Sequence, residues 1–263
     1  MCYDFLEGNA MLYDMIFKRK SFHIFKDIGH IEDAELKEIE QRYDTLIPLV
    51  SNIRTAMRIV PAEETSCKRG QEYCLLFYSE KKVGWLQNIG YLGQQMDLYL
   101  ASRDIGALWF GIGKVEESSY DGLDFVIMIA VAKMPAERFR KNMFKSKRKP
   151  LEETWEGEPI GGVSEIVRFA PSACNTQPWI VHRDENRLTV YRYKKQGKRG
   201  IMPKDKVTYY NQIDMGLFML ILELCLQREG VVFTRELFAD DGDSERELTK
   251  TAVYTIQYIE KRK

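Results

Sequence analysis

Two prolines, Pro171 and Pro178, bracket the stretch Phe169-Ala170-Pro171-Ser172-Ala173-Cys174-Asn175-Thr176-Gln177-Pro178-Trp179, and no other part of the chain restricts the fold so tightly. Each proline fixes φ, removes an amide donor and pushes the preceding residue out of the helical region. An amphipathic run from Ile160 to Phe169 is predicted to be helical and must stop there. The run Trp179 to Val181 is predicted to leave as a strand. Ser172, Asn175, Thr176 and Gln177 crowd the rigid frame between them. That density of polar side chains suits reading the polar edge of a ligand. A plain helix stop and turn draws on the same residue types, so composition alone leaves both readings open.

The chain has 263 residues, 44% of them apolar, which is enough for a sizeable core and one or two domains. Lysine plus arginine equals aspartate plus glutamate, 39 each. No global field therefore argues for nucleic acid or membrane as a partner. Asp4 and Glu7 break any basic-then-apolar pattern at the start, so no secretory signal is read and a cytoplasmic location is expected. The longest apolar run, Leu217 to Leu226, is too short to span a bilayer and contains Glu223. Cys2, Cys67, Cys74, Cys174 and Cys225 form neither a disulfide framework nor a metal-ligand spacing, and are read as reduced thiols. With only His23, His30 and His182, no metal site is expected.

Along the chain, Met11 to Lys20 reads as a short helix running into Arg19-Lys20-Ser21-Phe22-His23-Ile24-Phe25. Three basic groups and a hydroxyl in five residues suit a phosphate, although a solvated helix end is the plainer reading. From Ile31 to Val60 the apolar residues recur at helical spacing, interrupted by Pro48, with Asp33 as the expected N-cap. Glu72 to Ser79 reads as a buried strand. Val83 to Arg103 reads as a helix buried almost all round, its Gly84, Gly90 and Gly93 marking close approach of another backbone or helix. Ile105 to Phe110 then forms an apolar strand ending in Gly111-Ile112-Gly113, where bare amides could meet a ligand ring; this is not a dinucleotide fingerprint. Phe125 to Ala132 reads as a central strand, and Arg138 to Lys149 as a basic connector or a nucleic-acid patch.

The segment Glu156 to Gly162 is the best internal boundary by composition, giving expected halves 1–155 and 156–263. In the second half Arg187 to Tyr193 pairs with Trp179 to His182, Lys194 to Lys206 forms a basic surface loop, Tyr210 to Gln227 is a second buried helix and Thr251 to Tyr258 a closing strand. Both halves run helix, strand, buried helix, strand, which predicts a diverged internal duplication.

The stretch Ala170-Pro171-Ser172-Ala173-Cys174-Asn175-Thr176-Gln177-Pro178-Trp179 resembles a motif of the FMN-dependent nitroreductase family. Arg19-Lys20-Ser21-x-His23-x-Phe25 resembles that family's amino-terminal phosphate motif. Lys147-Arg148-Lys149-Pro150-Leu151-Glu152-Glu153 resembles its basic carboxyl-terminal ending, and Tyr91 to Gly113 its core helix and following strand. The order departs from the common pattern. Phosphate motif, core helix and basic ending all precede residue 153, and the proline-serine motif follows. Ile53 to Thr65, the matching place in the first half, lacks the Ser, Asn and Gln-Pro-Trp.

Family members are homodimers with FMN at the subunit interface, so the chain resembles such a dimer fused into one polypeptide. The resemblance implies an α+β, nitroreductase-like fold with mostly antiparallel sheets flanked by helices and two pseudo-symmetric halves. It implies one FMN per chain and no need for a second copy, so a monomer is expected. Arg19, Ser21 and His23 are implied to hold the phosphate, with Lys20 and Lys147 or Arg148 assisting. Pro171, Ser172, Ala173, Asn175 and Gln177 are implied to line the ring and ribityl chain, and Gly111, Ile112 and Gly113 to offer a backbone donor.

No protein acid or base is named as essential, because hydride and electron transfer belong to the flavin. Cys174 is expected to be a buried, inert thiol. The expected activity is transfer of electrons from NADH or NADPH to a nitroaromatic, quinone or other small acceptor by a ping-pong flavin mechanism. A flavin-binding or flavin-consuming protein, and a nucleic-acid module built on Arg138 to Lys149, are the competing readings.

Overall fold

The computed structural model describes residues 2–193, 200–243 and 246–258. The chain divides into two compact units, Met1–Met143 and Phe144–Lys263. Part of the expected basic loop, residues 194–199, lies outside the described residues.

In the first unit, helix α1 (Cys2–Lys18) precedes α2 (Asp33–Asp44). The α2 N-cap is Glu32, one residue before the expected Asp33, and its side chain and that of Glu35 form a capping box. The helix ends at Asp44, so the helical spacing expected to run through Val60 fails beyond that point. The chain becomes extended instead, as β1 (Thr55–Pro61). Strands β2 (Tyr73–Ser79), β3 (Ile105–Phe110), β4 (Ser119–Tyr120) and β5 (Leu123–Lys133) complete an antiparallel sheet ordered β1-β2-β5-β3, with β4 paired to β5. Between β2 and β3 runs α3 (Trp85–Ser102), buried along most of its length. Gly84 caps it at φ +84, where a side chain would strain the backbone. A Cβ on Gly93 would stand 2.4 Å from the Trp109 ring, so the close neighbour there is a side chain of β3 rather than the backbone or helix expected.

The second unit repeats the plan. Strands β6 (Trp155–Glu156), β7 (Trp179–Asp184) and β8 (Arg187–Tyr193) precede the long helix α5 (Val207–Arg228), with one turn, α4 (Ser164–Val167), between β6 and β7. After it come β9 (Val231–Leu237) and β10 (Leu248–Tyr258), giving the order β6-β7-β8-β10-β9. Helix α5 is buried without a break from Tyr210 to Leu226. A helix apolar on every side is stable only inside a protein.

The duplication is therefore present, but its unit is strand, strand, buried helix, strand, strand. Strands β1-β2-β5-β3 and β7-β8-β10-β9 occupy corresponding places. Register agrees as well: the strand leaving each helix begins opposite the end of the last strand, Ile105 opposite Lys133 and Val231 opposite Tyr258. Of the strands not expected from the sequence, β1, β6 and β9 lie at sheet edges and β4 is a two-residue strand paired to β5. The helix expected from Ile160 to Phe169 reduces to α4, because Gly161 and Gly162, the latter at φ +73, hold the chain out of helix until Ser164. Among the described residues no helix is long and apolar enough to cross a membrane.

Candidate functional site

The expected site residues fall in both units, Arg19 to His23 and Gly111 to Gly113 in the first, Lys147, Arg148 and Pro171 to Gln177 in the second. In the first unit, α1 ends at Lys18 and the chain turns along β3. Phe22 drives this path: its amide donates to the Ala107 carbonyl at 3.0 Å, and its ring is buried, stacked at 6.0 Å on Phe25. Gly106 leaves room for it, since a Cβ there would meet the Phe22 ring at 2.8 Å. Burying Phe22 and Phe25 turns the residues between and before them outward. Lys20 and His23 are exposed and Ser21 half-buried. The Lys20 ammonium reaches the Arg138 carbonyl at 3.1 Å and lies over the Phe22 ring.

Arg19 behaves differently. It is only 5% exposed, and its Nε donates to Asp97 Oδ2 at 2.6 Å, an oxygen that also accepts from Trp109 Nε1 at 2.9 Å. Its guanidinium thus ties the head of the segment to α3 and β3. Of the expected phosphate residues, Lys20, Ser21 and His23 are presented outward and Arg19 anchors them. Past β3, Ile112 is 56% exposed in a turn closed by the Gly113 amide on the Phe110 carbonyl at 3.2 Å.

In the second unit the loop between α4 and β7 is strained. Cys174, Asn175 and Gln177 have φ values of +48, +56 and +50. Left-handed backbone costs a non-glycine residue roughly 1–2 kcal/mol. Such strain persists only where surrounding structure over-determines it, and it clusters at functional sites.

The bonds that hold this loop are specific. Asp214 of α5 accepts the Ala173 amide at 3.0 and 3.2 Å, and Ser172 Oγ accepts the Gln177 amide at 2.9 Å. Arg148 Nη1 donates to Asn175 Oδ1 at 2.9 Å, and Asn175 Nδ2 returns a bond to the Lys147 carbonyl. Two contacts join the buried Lys149 to Gln177, its amide on Gln177 Oε1 at 2.8 Å and its ammonium on the Gln177 carbonyl at 2.7 Å.

The polar side chains that the sequence assigns to ligand reading are thus engaged with one another and with the basic run. Asn175 and Gln177 clamp the loop to Lys147–Lys149. Pro171, Ser172 and Ala173 stay half-buried on its open side. Lys147 is exposed. Cys174 is exposed, contrary to the buried thiol expected, because its left-handed backbone turns it outward.

Two acids went unassigned in the sequence: Asp97, the one carboxylate of α3, and Asp214, which shares the largely apolar α5 with Glu223. A carboxylate set among apolar helix positions was the available signal, since a buried carboxylate needs partners. Burial drives the Asp214 carboxyl up to about 8, and the Ala173 amide opposes the shift. These segments supply no metal centre: among the described residues no group of His, Cys, Asp and Glu could hold an ion.

A model of the family described as "Putative TM nitroreductase" matches residues 11–225. Among solved structures, a putative nitroreductase from Thermotoga maritima is similar over 93% of both chains, with TM-score 0.59 and 17% identity. That likeness establishes a nitroreductase-like α+β fold. A nitroreductase family protein from Clostridium difficile aligns with 56% of this chain and 98% of its own, at TM-score 0.43 and 14% identity. A putative nitroreductase from Desulfovibrio desulfuricans, solved in complex with FMN, aligns with 57% of this chain and 97% of its own, at TM-score 0.42 and 19% identity. No curated protein matches.

Proposed function

The chain belongs to the "Putative TM nitroreductase" family, and from that premise we propose that it is an FMN-dependent oxidoreductase passing electrons from NADH or NADPH to a small acceptor. The observation that carries the reading is the loop Ser172–Gln177: three left-handed residues, held by Asp214, Arg148 and Lys149, on the stretch whose sequence resembles the family's flavin motif. A plain connector has no use for such strain.

The residues present fit FMN in two respects. Lys20 and His23 are exposed donors flanking the half-buried Ser21 hydroxyl, a set suited to a dianionic phosphate. Arg19 holds the segment in place through Asp97. Pro171, Ser172 and Ala173 offer a short, rigid, half-buried surface for a flat ring, braced from behind by Asn175 and Gln177. Each motif occurs once in the sequence, so one FMN per chain is the proposed stoichiometry.

When bound, FMN supplies the hydride and electron chemistry. The chain's part is to bind, orient and bias charge. Lys147 and Arg148 next to the loop favour anionic character in a group lying against it, an effect that grows as negative charge develops. No side chain of these segments is assigned as an acid or base. A nitroaromatic or quinone is the proposed class of acceptor, acting after the nicotinamide product has left. The test is steady oxidation of NADH or NADPH by the FMN-loaded protein with menadione or a nitrofuran added. Tight FMN binding with no turnover on either donor would contradict the oxidoreductase reading and leave a flavin carrier.

A further inference from the structure

Two buried cysteines in the first unit belong to one core cluster beneath a loop that ties down both expected ligand segments of that unit. Cys74 lies in the middle of β2, and Cys67 in the loop that leads to it, 1% and 0% exposed for Cys67 and Cys74 respectively. The two residues share Thr65 and Gln71 as neighbours. Thr65 Oγ1 lies 3.5 Å from Cys74 Sγ and accepts the Cys67 amide at 3.3 Å. Gln71 Nε2 donates to the Cys67 carbonyl at 2.6 Å and reaches Cys74 Sγ at 3.7 Å.

The loop above them is connected in two directions. The Ser66 amide donates to the Lys114 carbonyl at 3.0 Å, and the Lys114 amide donates back to Ser66 Oγ at 2.7 Å, just past Gly111–Gly113. The Phe25 amide donates to the Arg69 carbonyl at 2.8 Å, at the end of the Arg19–Phe25 segment. Gly70, at φ +82, lies so close that a Cβ would stand 2.6 Å from the Phe25 carbonyl oxygen.

We propose that Cys67 and Cys74 form a reversible disulfide that locks this loop, and with it the Arg19–Phe25 and Gly111–Lys114 segments, in place. Only the consequence for cofactor binding rests on the reading proposed above. The bond joins a strand interior to a loop, so closing it removes the loop's freedom to leave β2. Cys74 is the attacking sulfur. The Cys67 S–H stabilises its thiolate and brings it down to about 7, while that same interaction, together with burial, pushes Cys67 up.

With hydrogen peroxide as oxidant, the Cys74 thiolate bonds to one peroxide oxygen, the O–O bond breaks and hydroxide leaves. The Cys67 sulfur then displaces the new hydroxyl from Cys74, and the Cys67 proton leaves with it as water. The hydroxide takes up the proton that Cys74 released on forming its thiolate, so the two sulfurs lose two electrons in all and the peroxide ends as two waters. A dithiol reverses the step by exchange. Access comes through the loop, because Ser66, Lys68, Arg69 and Gly70 around Cys67 are all exposed and only local opening is needed.

Trypsin provides the test. Cleavage after Lys68 and Arg69 puts the two cysteines on different peptides, joined only if the bond has formed. The full chain is treated with hydrogen peroxide, alkylated, digested and mapped with and without dithiothreitol. The expected product is a reducible pair, residues 59–68 linked to 70–81, absent in Cys67→Ser and Cys74→Ser, with slower amide exchange across 66–71. An oxidised, exposed Cys174 with Cys67 and Cys74 both recovered as alkylated thiols would overturn the disulfide. A linked pair with unchanged exchange across 66–71 would overturn the lock. If the linkage and the slower exchange appear, FMN release should slow a few-fold in wild type and not in Cys74→Ser. A protein that binds no FMN removes the flavin reading and leaves the disulfide decided by the peptides.

Discussion

Asp214 accepts the Ala173 amide with both carboxylate oxygens, at 3.0 and 3.2 Å, so one buried acid on α5 fixes the entry to the strained loop. Burial raises this carboxyl from 3.8 to about 8. The folded state therefore holds a proton that the unfolded chain gives up near pH 4, and stability falls as pH rises from about 4 towards about 8. Asp214→Asn keeps an acceptor for Ala173 and removes the titration. Urea unfolding at pH 5 and pH 8 should show wild type losing stability across that interval and the variant losing less. Equal slopes would contradict the assignment.

The Arg19–Asp97 pair makes a second prediction. Both side chains are buried, 6% and 1% exposed, and Trp109 adds a donor to the same oxygen. Asp97→Ala would strand a buried guanidinium and should cost about 3–5 kcal/mol. Arg54→Ala breaks the pair with Asp121, the two side chains being 64% and 73% exposed, and should change stability by less than about 1 kcal/mol. Denaturation midpoints of the two variants decide between them.

Strain in the loop can be measured directly. Cys174 is exposed and sits at φ +48, so Cys174→Gly should stabilise the second unit by roughly 1 kcal/mol. Gly200→Ala should do the opposite, because its Cβ would stand 2.6 Å from the Cys174 Cβ and its own φ is +58. Thermal melts of the two single variants report both signs.

The outward donors separate binding from folding. Lys20→Met and His23→Gln remove exposed groups, so stability should hold while FMN affinity falls about 10-fold or more for each charge-assisted bond lost. Fluorescence titration of the stripped protein with FMN gives the affinity, and a melt gives the control.

Much of this was legible in the chain, for reasons that differ by element. The helices α3 and α5 were visible because a run apolar on every side has only one stable setting. The strand β8 was visible from its alternation, and its observed ends, Arg187 and Tyr193, are the expected ones. The edge strands β1 and β9 were not. One row of their backbone groups has no ladder partner, and β9 shows exposed residues throughout its length. Helical spacing continued by chance into Ile53 and past Pro48, which concealed the end of α2.

The candidate site divides the same way. The residue types around Pro171 and Arg19 are visible in sequence, and so is the resemblance they carry. Which polar atoms face outward is decided by partners distant in the chain. Asp97 takes Arg19, and Lys149 takes Gln177. Pairings across such separations leave no local pattern.

Flavin stoichiometry tests the central claim most directly. The purified chain, saturated with FMN and freed of excess, should carry one equivalent per chain by absorbance against protein mass, because each motif occurs once in its sequence. Two equivalents, or a colourless protein after saturation, would contradict the account.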